Sequence, residues 1–239
     1  MRPRRLRIHH DTWQRHAVAA RLAGRTGRGR VLDVGGHPGR LAEHLPGAEV
    51  VAINVRAPAD VVFDGVTLPY PDGAFDLVTS LDVLEHLARP ERAGHVAEVL
   101  RVAGERAVLC CPLGAPELNT AERELAEWYA RLSGERSPFL DEHVINGLPS
   151  AAELHDLLAV AWPRFEVTEA FHGDFRDAQR LFRLEALAHF RGRAMDRARF
   201  LAERLRRPLR PGGLDDRPGP YSSRWFSAAT TRSPARPSP

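Results

Sequence analysis

The chain has 239 residues, of which 43% are hydrophobic, and its formal net charge is +3. This length and apolar content are sufficient to bury a full core, and they favour one domain with appendages over two domains. No apolar run has the length that a membrane span or a signal peptide needs, so the expected location is the cytoplasm.

The first predicted elements are a helical extension over 1–27 and a strand that runs into a glycine-rich turn. VLDVGGHPGR (31–40) is an apolar strand, an acidic residue and then a turn that opens a helix, with Leu41 and Leu45 at helical spacing. Glycines let the backbone turn sharply and come close to a bound molecule. We therefore expect a nucleotide-like ligand at this turn.

Four predicted strands each end in a polar residue. These residues are Asp33, Asn54, Asp64 and Asp82. In an open parallel sheet the carboxyl ends of the strands line one crevice, so we expect these side chains to surround one ligand. Only residues 56–60 separate the second strand from the third (61–64), which is too short for a helical crossover. The third strand is therefore expected to be short or irregular.

The region after the fifth strand (105–112) is interpreted as a helical lid insertion over 113–149. It has a predicted helix at 116–134 and a predicted loop at 137–149, since loops after strand ends build the substrate side of such sites. The remaining predicted elements are a long helix at 174–207 that Gly192 could interrupt, a last strand at 221–232 and a disordered tail at 233–239.

Two motifs after the glycine turn carry a family resemblance. LPYPDGAFDLV (68–78) and DVLEHL (82–87) resemble class I S-adenosylmethionine-dependent methyltransferases, in particular the small-molecule, type 11-like group. The resemblance covers residues 28–172, and 221–231 resembles the family's final strand. It implies a methyltransferase domain over 28–232 with a doubly wound, seven-stranded, mostly parallel Rossmann-like α/β sheet whose last strand is antiparallel.

The resemblance also implies a site for S-adenosylmethionine. The glycine turn would pass under its methionine part, with Asp33 near the amino group. Asn54 stands where the family usually has an acidic residue for the ribose hydroxyls, and Asp64 matches the residue that meets the adenine amino group. The other positions matched to the cofactor are Gly35, Gly36, Gly39, Val55, Gly65, Leu81, Asp82 and His86.

The sequence departs from the family pattern at two places. His37 replaces the middle glycine of the turn, and Asn54 lacks the charge that strengthens a hydrogen bond from a ribose hydroxyl. A cofactor-binding scaffold without activity is therefore an alternative. A nicotinamide-dependent dehydrogenase is disfavoured, because His37 and Arg40 stand at the second and third glycine positions of its fingerprint.

The candidate catalytic residues are His143 and Glu142. All 34 basic residues are arginine, so lysine cannot supply the general base. Histidine, with an unperturbed pKa of about 6.5, suits proton removal from a hydroxyl acceptor. Alternatively, both residues brace the loop, and His86 fixes its own turn rather than facing the cofactor. No histidine spacing is typical of a metal site, so none is expected.

The function predicted from these observations is O-methylation of a small-molecule or sugar-like acceptor. The expected partners are that acceptor and a second copy of the chain, with no nucleic acid and no membrane. A methyltransferase that acts on RNA through the basic 174–207 helix is a further alternative, because basic clusters make phosphate contacts.

Overall fold

One sheet organises the part of the chain that the structure, a computed structural model, describes: residues 10–161, 163–206 and 213–232. Its strands are β1 (Arg30–Val34), β2 (Glu49–Asn54), β3 (Val61–Val62), β4 (Phe75–Leu81), β5 (Ala103–Pro112), β6 (Phe165–Asp174) and β7 (Ser222–Thr231). They lie in the order β3-β2-β1-β4-β5-β7-β6, and β7 runs antiparallel to both of its neighbours while the other pairs are parallel. The predicted seven-stranded, mostly parallel sheet with an antiparallel last strand is confirmed.

The described residues also form seven α-helices. They are α1 (His10–Ala23), α2 (Arg89–Val102), α3 (Pro116–Ser133), α4 (Pro138–Asn146), α5 (Ala151–Leu158), α6 (Phe175–Phe190) and α7 (Ala194–Arg206). Proline lies in the first turn of α2, α3 and α4, where its missing N–H costs nothing. No helix within the described ranges is long and apolar enough to cross a membrane.

The core has two halves, one on each face of the central strands. On one face α1 buries Val18, Ala19 and Ala23 against the sheet, together with Cys110. On the other face, Cys111 packs in the larger cluster that α2 and α5 cover. The two cysteines are adjacent on β5, so their side chains point to opposite faces, and neither forms a disulfide.

Two expected elements are wrong. The helix after the glycine turn is only a short 3-10 helix at Ala42–His44, because Pro46 and Gly47, which has a φ of 89°, end it at once. The segment 137–149, predicted as a loop, contains helix α4. It begins at Pro138 and is followed by Gly147, which are ordinary start and stop signals of a helix.

Other expectations are confirmed. β3 is two residues long, and no helix lies between β2 and β3. The long helix predicted at 174–207 is interrupted at Gly192, whose φ of 62° separates α6 from α7. Residues 1–9 of the predicted N-terminal extension, the end of that helix at residue 207 and the tail at 233–239 lie outside the described residues.

A buried arginine holds the elements beside the end of β4 together. Arg92 of α2 is fully buried, and its Nε donates to the carbonyls of Leu84 (3.0 Å) and Leu87 (3.3 Å). Its terminal nitrogens donate to Glu153 of α5 (2.6 Å) and to the Asn146 carbonyl of α4 (3.1 Å). One guanidinium therefore fixes the segment after β4, the end of α4 and the start of α5 relative to one another.

We expect Arg92→Met to lower the free energy of unfolding by about 3–5 kcal/mol, because it leaves several buried acceptors without a donor. Denaturant unfolding measures this change. Arg89→Met is the matched control, since Arg89 is exposed and lies 3.5 Å from the same glutamate; its loss should stay below about 1 kcal/mol. Equal, small losses in both variants would contradict this account of Arg92.

Candidate active site

The glycine turn after β1 lies over the carboxylate of Asp33. Asp33 is buried, and its Oδ1 accepts a hydrogen bond of 2.8 Å from the Thr79 hydroxyl, whereas its Oδ2 has no partner among the described residues. Burial raises the pKa of this carboxyl to about 6. A Cβ on Gly36 would lie 2.1 Å from Oδ2, so a side chain there would collide with the carboxylate. Gly39 ends the turn with a φ of 79° and open space around it.

Asn54, at the end of β2, braces the same turn. Its amide nitrogen donates to the carbonyls of Gly35 (3.0 Å) and Gly36 (3.2 Å), and its Oδ1 accepts the amide of Val55 (2.8 Å). Gly35 has a φ of 75° and donates its own N–H to the Ile53 carbonyl (2.8 Å). A carboxylate has no N–H to donate, so the neutral side chain gives the turn two hydrogen bonds that the usual acidic residue could not make.

The loop that follows β3, the outermost strand on this side of the sheet, is largely exposed to solvent. Asp64 accepts the amides of Val66 (2.9 Å) and Thr67 (3.2 Å), and these hydrogen bonds lower the pKa of its carboxyl. Gly65 has a φ of 85°, and a Cβ there would lie 3.0 Å from the side chain of Val55, which is 51% exposed. Asp64 therefore shapes its own turn, and Val55 offers an apolar surface beside it.

Asp82, which follows the buried Leu81 at the end of β4, joins three elements. Its carboxylate accepts hydrogen bonds from Arg15 of α1 and from Arg224 of β7. Arg224 also donates to Asp11 of α1. The two arginine partners of Asp82 and the contact of Arg224 with Asp11 were not predicted from the sequence, although Asp11 and Arg15 lie four residues apart and so on one face of the helix.

One candidate catalytic residue, His143, forms a pair with His86, and the other, Glu142, contacts that pair. Nδ1 of His86 lies 2.7 Å from Oε2 of Glu142, and Nδ1 of His143 lies 2.9 Å from Oε2 of Glu122. The centroids of the two imidazole rings are 4.9 Å apart. Glu142 therefore contacts His86 rather than its neighbour in sequence, and α4 carries both candidates to the segment after β4.

Glu85 lies buried next to this pair. Neither of its carboxylate oxygens has a hydrogen-bond partner on another described residue. Burial, followed by the charge of Asp82, raises the pKa of Glu85 to about 8. Burial also lowers the pKa of His86. Burial alone would also lower the pKa of His143. The hydrogen bond to Glu122 and the charge of Glu85 outweigh this effect, so the pKa of His143 is raised.

The predicted site residues therefore form two groups. At the glycine turn, Asp33 lies beneath Gly36 and Asn54 holds the turn in place. At the end of β4, Asp82 and His86 lie near the two candidate catalytic residues. Arg15 links the groups, since it binds Asp82 and its charge acts on Asp33. The carboxylate of Asp64 is hydrogen-bonded within its own turn. The four polar residues at the strand ends therefore come together only in part.

A cavity of about 420 Å³ opens at the same edge of the sheet. It lies between the start of α1, the end of β6 and the start of α6. Its charged lining residues include Asp11, Asp174, Asp177, Asp215 and Arg224. Its volume is within the range of small-molecule sites.

Comparisons with known proteins agree on one family. A family model described as a methyltransferase domain matches residues 32–111, from β1 to β5. An uncharacterized methyltransferase of Mycolicibacterium vanbaalenii is 34% identical over an alignment of 188 positions, and the match covers 65% of this chain and 71% of that protein.

Two solved structures share the fold. The structure of a methyltransferase of Thermotoga maritima has a TM-score of 0.53 at 15% identity and covers 96% of this chain and 94% of that chain. Phosphoethanolamine N-methyltransferase 2 of Haemonchus contortus, solved with S-adenosyl-L-methionine, has a TM-score of 0.55 at 16% identity and covers 92% of this chain and 52% of that chain. Together with the fold and the glycine turn over Asp33, these matches show that the chain belongs to the class I S-adenosylmethionine-dependent methyltransferases.

Proposed function

We propose that this methyltransferase transfers a methyl group to a hydroxyl oxygen of a small, polar, sugar-like acceptor. The observation that carries the proposal is the histidine pair of His86 and His143, which is half-buried beside the end of β4 with a carboxylate on each Nδ1. A hydroxyl acceptor needs proton removal, and a histidine with a raised pKa is suited to it.

The cofactor would bind at the glycine turn. Gly35, Gly36 and Gly39 would lie under its methionine part, and the unpaired Oδ2 of Asp33 would accept from its ammonium group. The ribose would lie near Asn54 and the adenine near Val55, Asp64 and Gly65, with Leu81, Asp82 and His86 toward the sulfonium. The buried, unpaired oxygen is what fits this assignment, because a cation satisfies it and an apolar group would not.

The reaction is an in-line displacement, so the protein mainly holds the acceptor oxygen against the methyl carbon. His143 would take the hydroxyl proton, and Glu142 would hold the ring of His86. The oxygen then forms a bond to the methyl carbon, while the carbon–sulfur bond breaks and its electron pair stays on sulfur.

The acid-lined cavity supports a polyhydroxyl acceptor over RNA. Carboxylates accept hydrogen bonds from sugar hydroxyls, whereas they repel phosphates. Four aspartates and one arginine line this cavity. The RNA alternative is therefore the less favoured candidate, and the inactive scaffold, the cytoplasmic location and the homodimer stay predictions.

We expect Asp33→Asn to weaken S-adenosylmethionine binding about 10- to 100-fold at neutral pH, because a charge-assisted hydrogen bond is lost. The pKa of Asp33 is raised to about 6, so its ionised form is lost as the pH falls through that value. Wild-type affinity should therefore weaken below about pH 6, and this pH dependence should be absent from the variant. Titration calorimetry measures both effects.

Asp76→Asn is the matched control for this titration. Asp76 is likewise an aspartate on a central strand, β4, and its carboxylate accepts the backbone N–H of Arg30 at 2.7 Å, but it lies at the opposite edge of the sheet. It should leave the dissociation constant unchanged within about twofold. Equal effects of the two substitutions would count against a cofactor contact at Asp33.

Substitution of His143, the proposed general base, tests the proposed removal of the acceptor proton. We expect His143→Gln to lower kcat about 100-fold or more with a hydroxyl acceptor, since general-base catalysis contributes on that scale. Cofactor affinity should stay within about twofold, and His155→Gln, whose side chain is 59% exposed, should change neither. Tight cofactor binding without turnover of any sugar, phenol or hydroxy acid offered would instead identify the scaffold.

A further inference from the structure

We propose that Glu85, His86 and His143 bind one divalent first-row transition-metal ion at the end of β4. Each residue offers one ligand atom, and these atoms all lie within 4.8 Å of one another. Two imidazole nitrogens and one carboxylate oxygen suit zinc, iron(II) or cobalt(II) better than magnesium, which prefers oxygen ligands. Three protein ligands also leave coordination positions open, as in catalytic rather than structural sites.

The surroundings of the two histidines support this assignment. In known metal sites a ligating histidine almost always donates its other ring N–H to a carboxylate or carbonyl, which fixes the ring and its tautomer. Here Glu142 holds Nδ1 of His86 at 2.7 Å, and Glu122 holds Nδ1 of His143 at 2.9 Å. Both rings are therefore left with Nε2 as the nitrogen that can bind a metal.

Further hydrogen bonds hold the groups that surround the two histidines. Glu122 itself accepts a hydrogen bond of 3.2 Å from the side chain of Gln179, on α6. The main-chain carbonyl of His86 accepts one of 2.9 Å from the side chain of Asn146, at the end of α4. Three helices and the segment after β4 thus fix the two rings.

The third ligand is a buried carboxylate without a partner. Both oxygens of Glu85 lack a hydrogen bond to another described residue, and such a group is costly to bury alone. The nearby arginines bind Asp82 instead, since Arg15 and Arg224 both donate to its carboxylate. A divalent cation between Glu85 and the two rings would supply the missing charge. The ligands lie 57 residues apart on two elements, so a search for short histidine spacings could not find them.

The role of this ion rests on the proposed O-methylation, whereas its binding does not. An acceptor hydroxyl that binds an open coordination position becomes more acidic and releases its proton to solvent. Its oxygen then bonds to the methyl carbon as the carbon–sulfur bond breaks and the electron pair stays on sulfur. With the ion bound, His143 holds the ion instead of taking the acceptor proton.

Cobalt(II) titration of the full chain, without a polyhistidine tag, tests the site directly. We expect one ion per chain, with visible absorption bands of a coordinated ion and heat of binding in calorimetry. Glu85→Gln and His143→Gln should weaken binding at least about 100-fold, and Glu122→Gln about 10- to 100-fold. His155→Gln should leave it unchanged. No saturable binding in the wild type, or equal binding in Glu85→Gln, would overturn the site.

A second measurement separates this inference from the proposed function. A chelator should lower the rate of O-methylation at least about 100-fold, and cobalt(II) or zinc(II) should restore it, while S-adenosylmethionine still binds in calorimetry. An unchanged rate in the chelator would overturn the metal site and leave the proposed function standing. Stoichiometric cobalt(II) binding without methylation of any hydroxyl acceptor would support the metal site and overturn the proposed function.

Discussion

The carboxylate of Asp82 is the point on which the arrangement of the site depends. It accepts hydrogen bonds from Arg15 and Arg224, and so ties α1 and β7 to the end of β4. Asp82 has a φ of 57°, a conformation that costs roughly 1 kcal/mol or more in a residue with a side chain. The two guanidinium groups stabilise the turn, and the chain continues directly into the short helix that carries Glu85 and His86.

This turn divides the edge of the sheet into two halves with different chemistry. On one side, the backbone of the glycine turn lies over Asp33, and Asn54 holds it with hydrogen bonds to two carbonyls. On the other side, ionisable side chains from different elements crowd around Glu85. The first half is suited to holding a cofactor closely, and the second to controlling a proton. Arg15 contacts one half and acts electrostatically on the other.

The fold could be predicted because its signals are local. Runs of apolar residues mark β4 and β5, which are buried along most of their length, and glycines at positive φ mark the turn after β1. The position of Asp33 follows from the same pattern. Helix α4 was missed although Pro138 and Gly147 mark its ends, because its polar centre is also typical of a loop.

The contacts that complete the site could not be predicted, since they depend on pairs distant in sequence. Arg15 and Asp82 are 67 residues apart, and Arg92 and Glu153 are 61 apart. Every basic residue of this chain is arginine, so composition does not separate a structural arginine from a solvated one. The neutral Asn54 looked like a weakened ribose contact, and only its hydrogen bonds to the glycine turn explain why an amide fits there.

A crystal structure of the complex with S-adenosylhomocysteine and cobalt(II) tests the central claim most directly. The account predicts the amino group of the cofactor within hydrogen-bond distance of Asp33, its sulfur toward Asp82, and an anomalous cobalt peak between Glu85, His86 and His143. A cofactor bound away from the glycine turn, with Asp33 still unpaired, would contradict it.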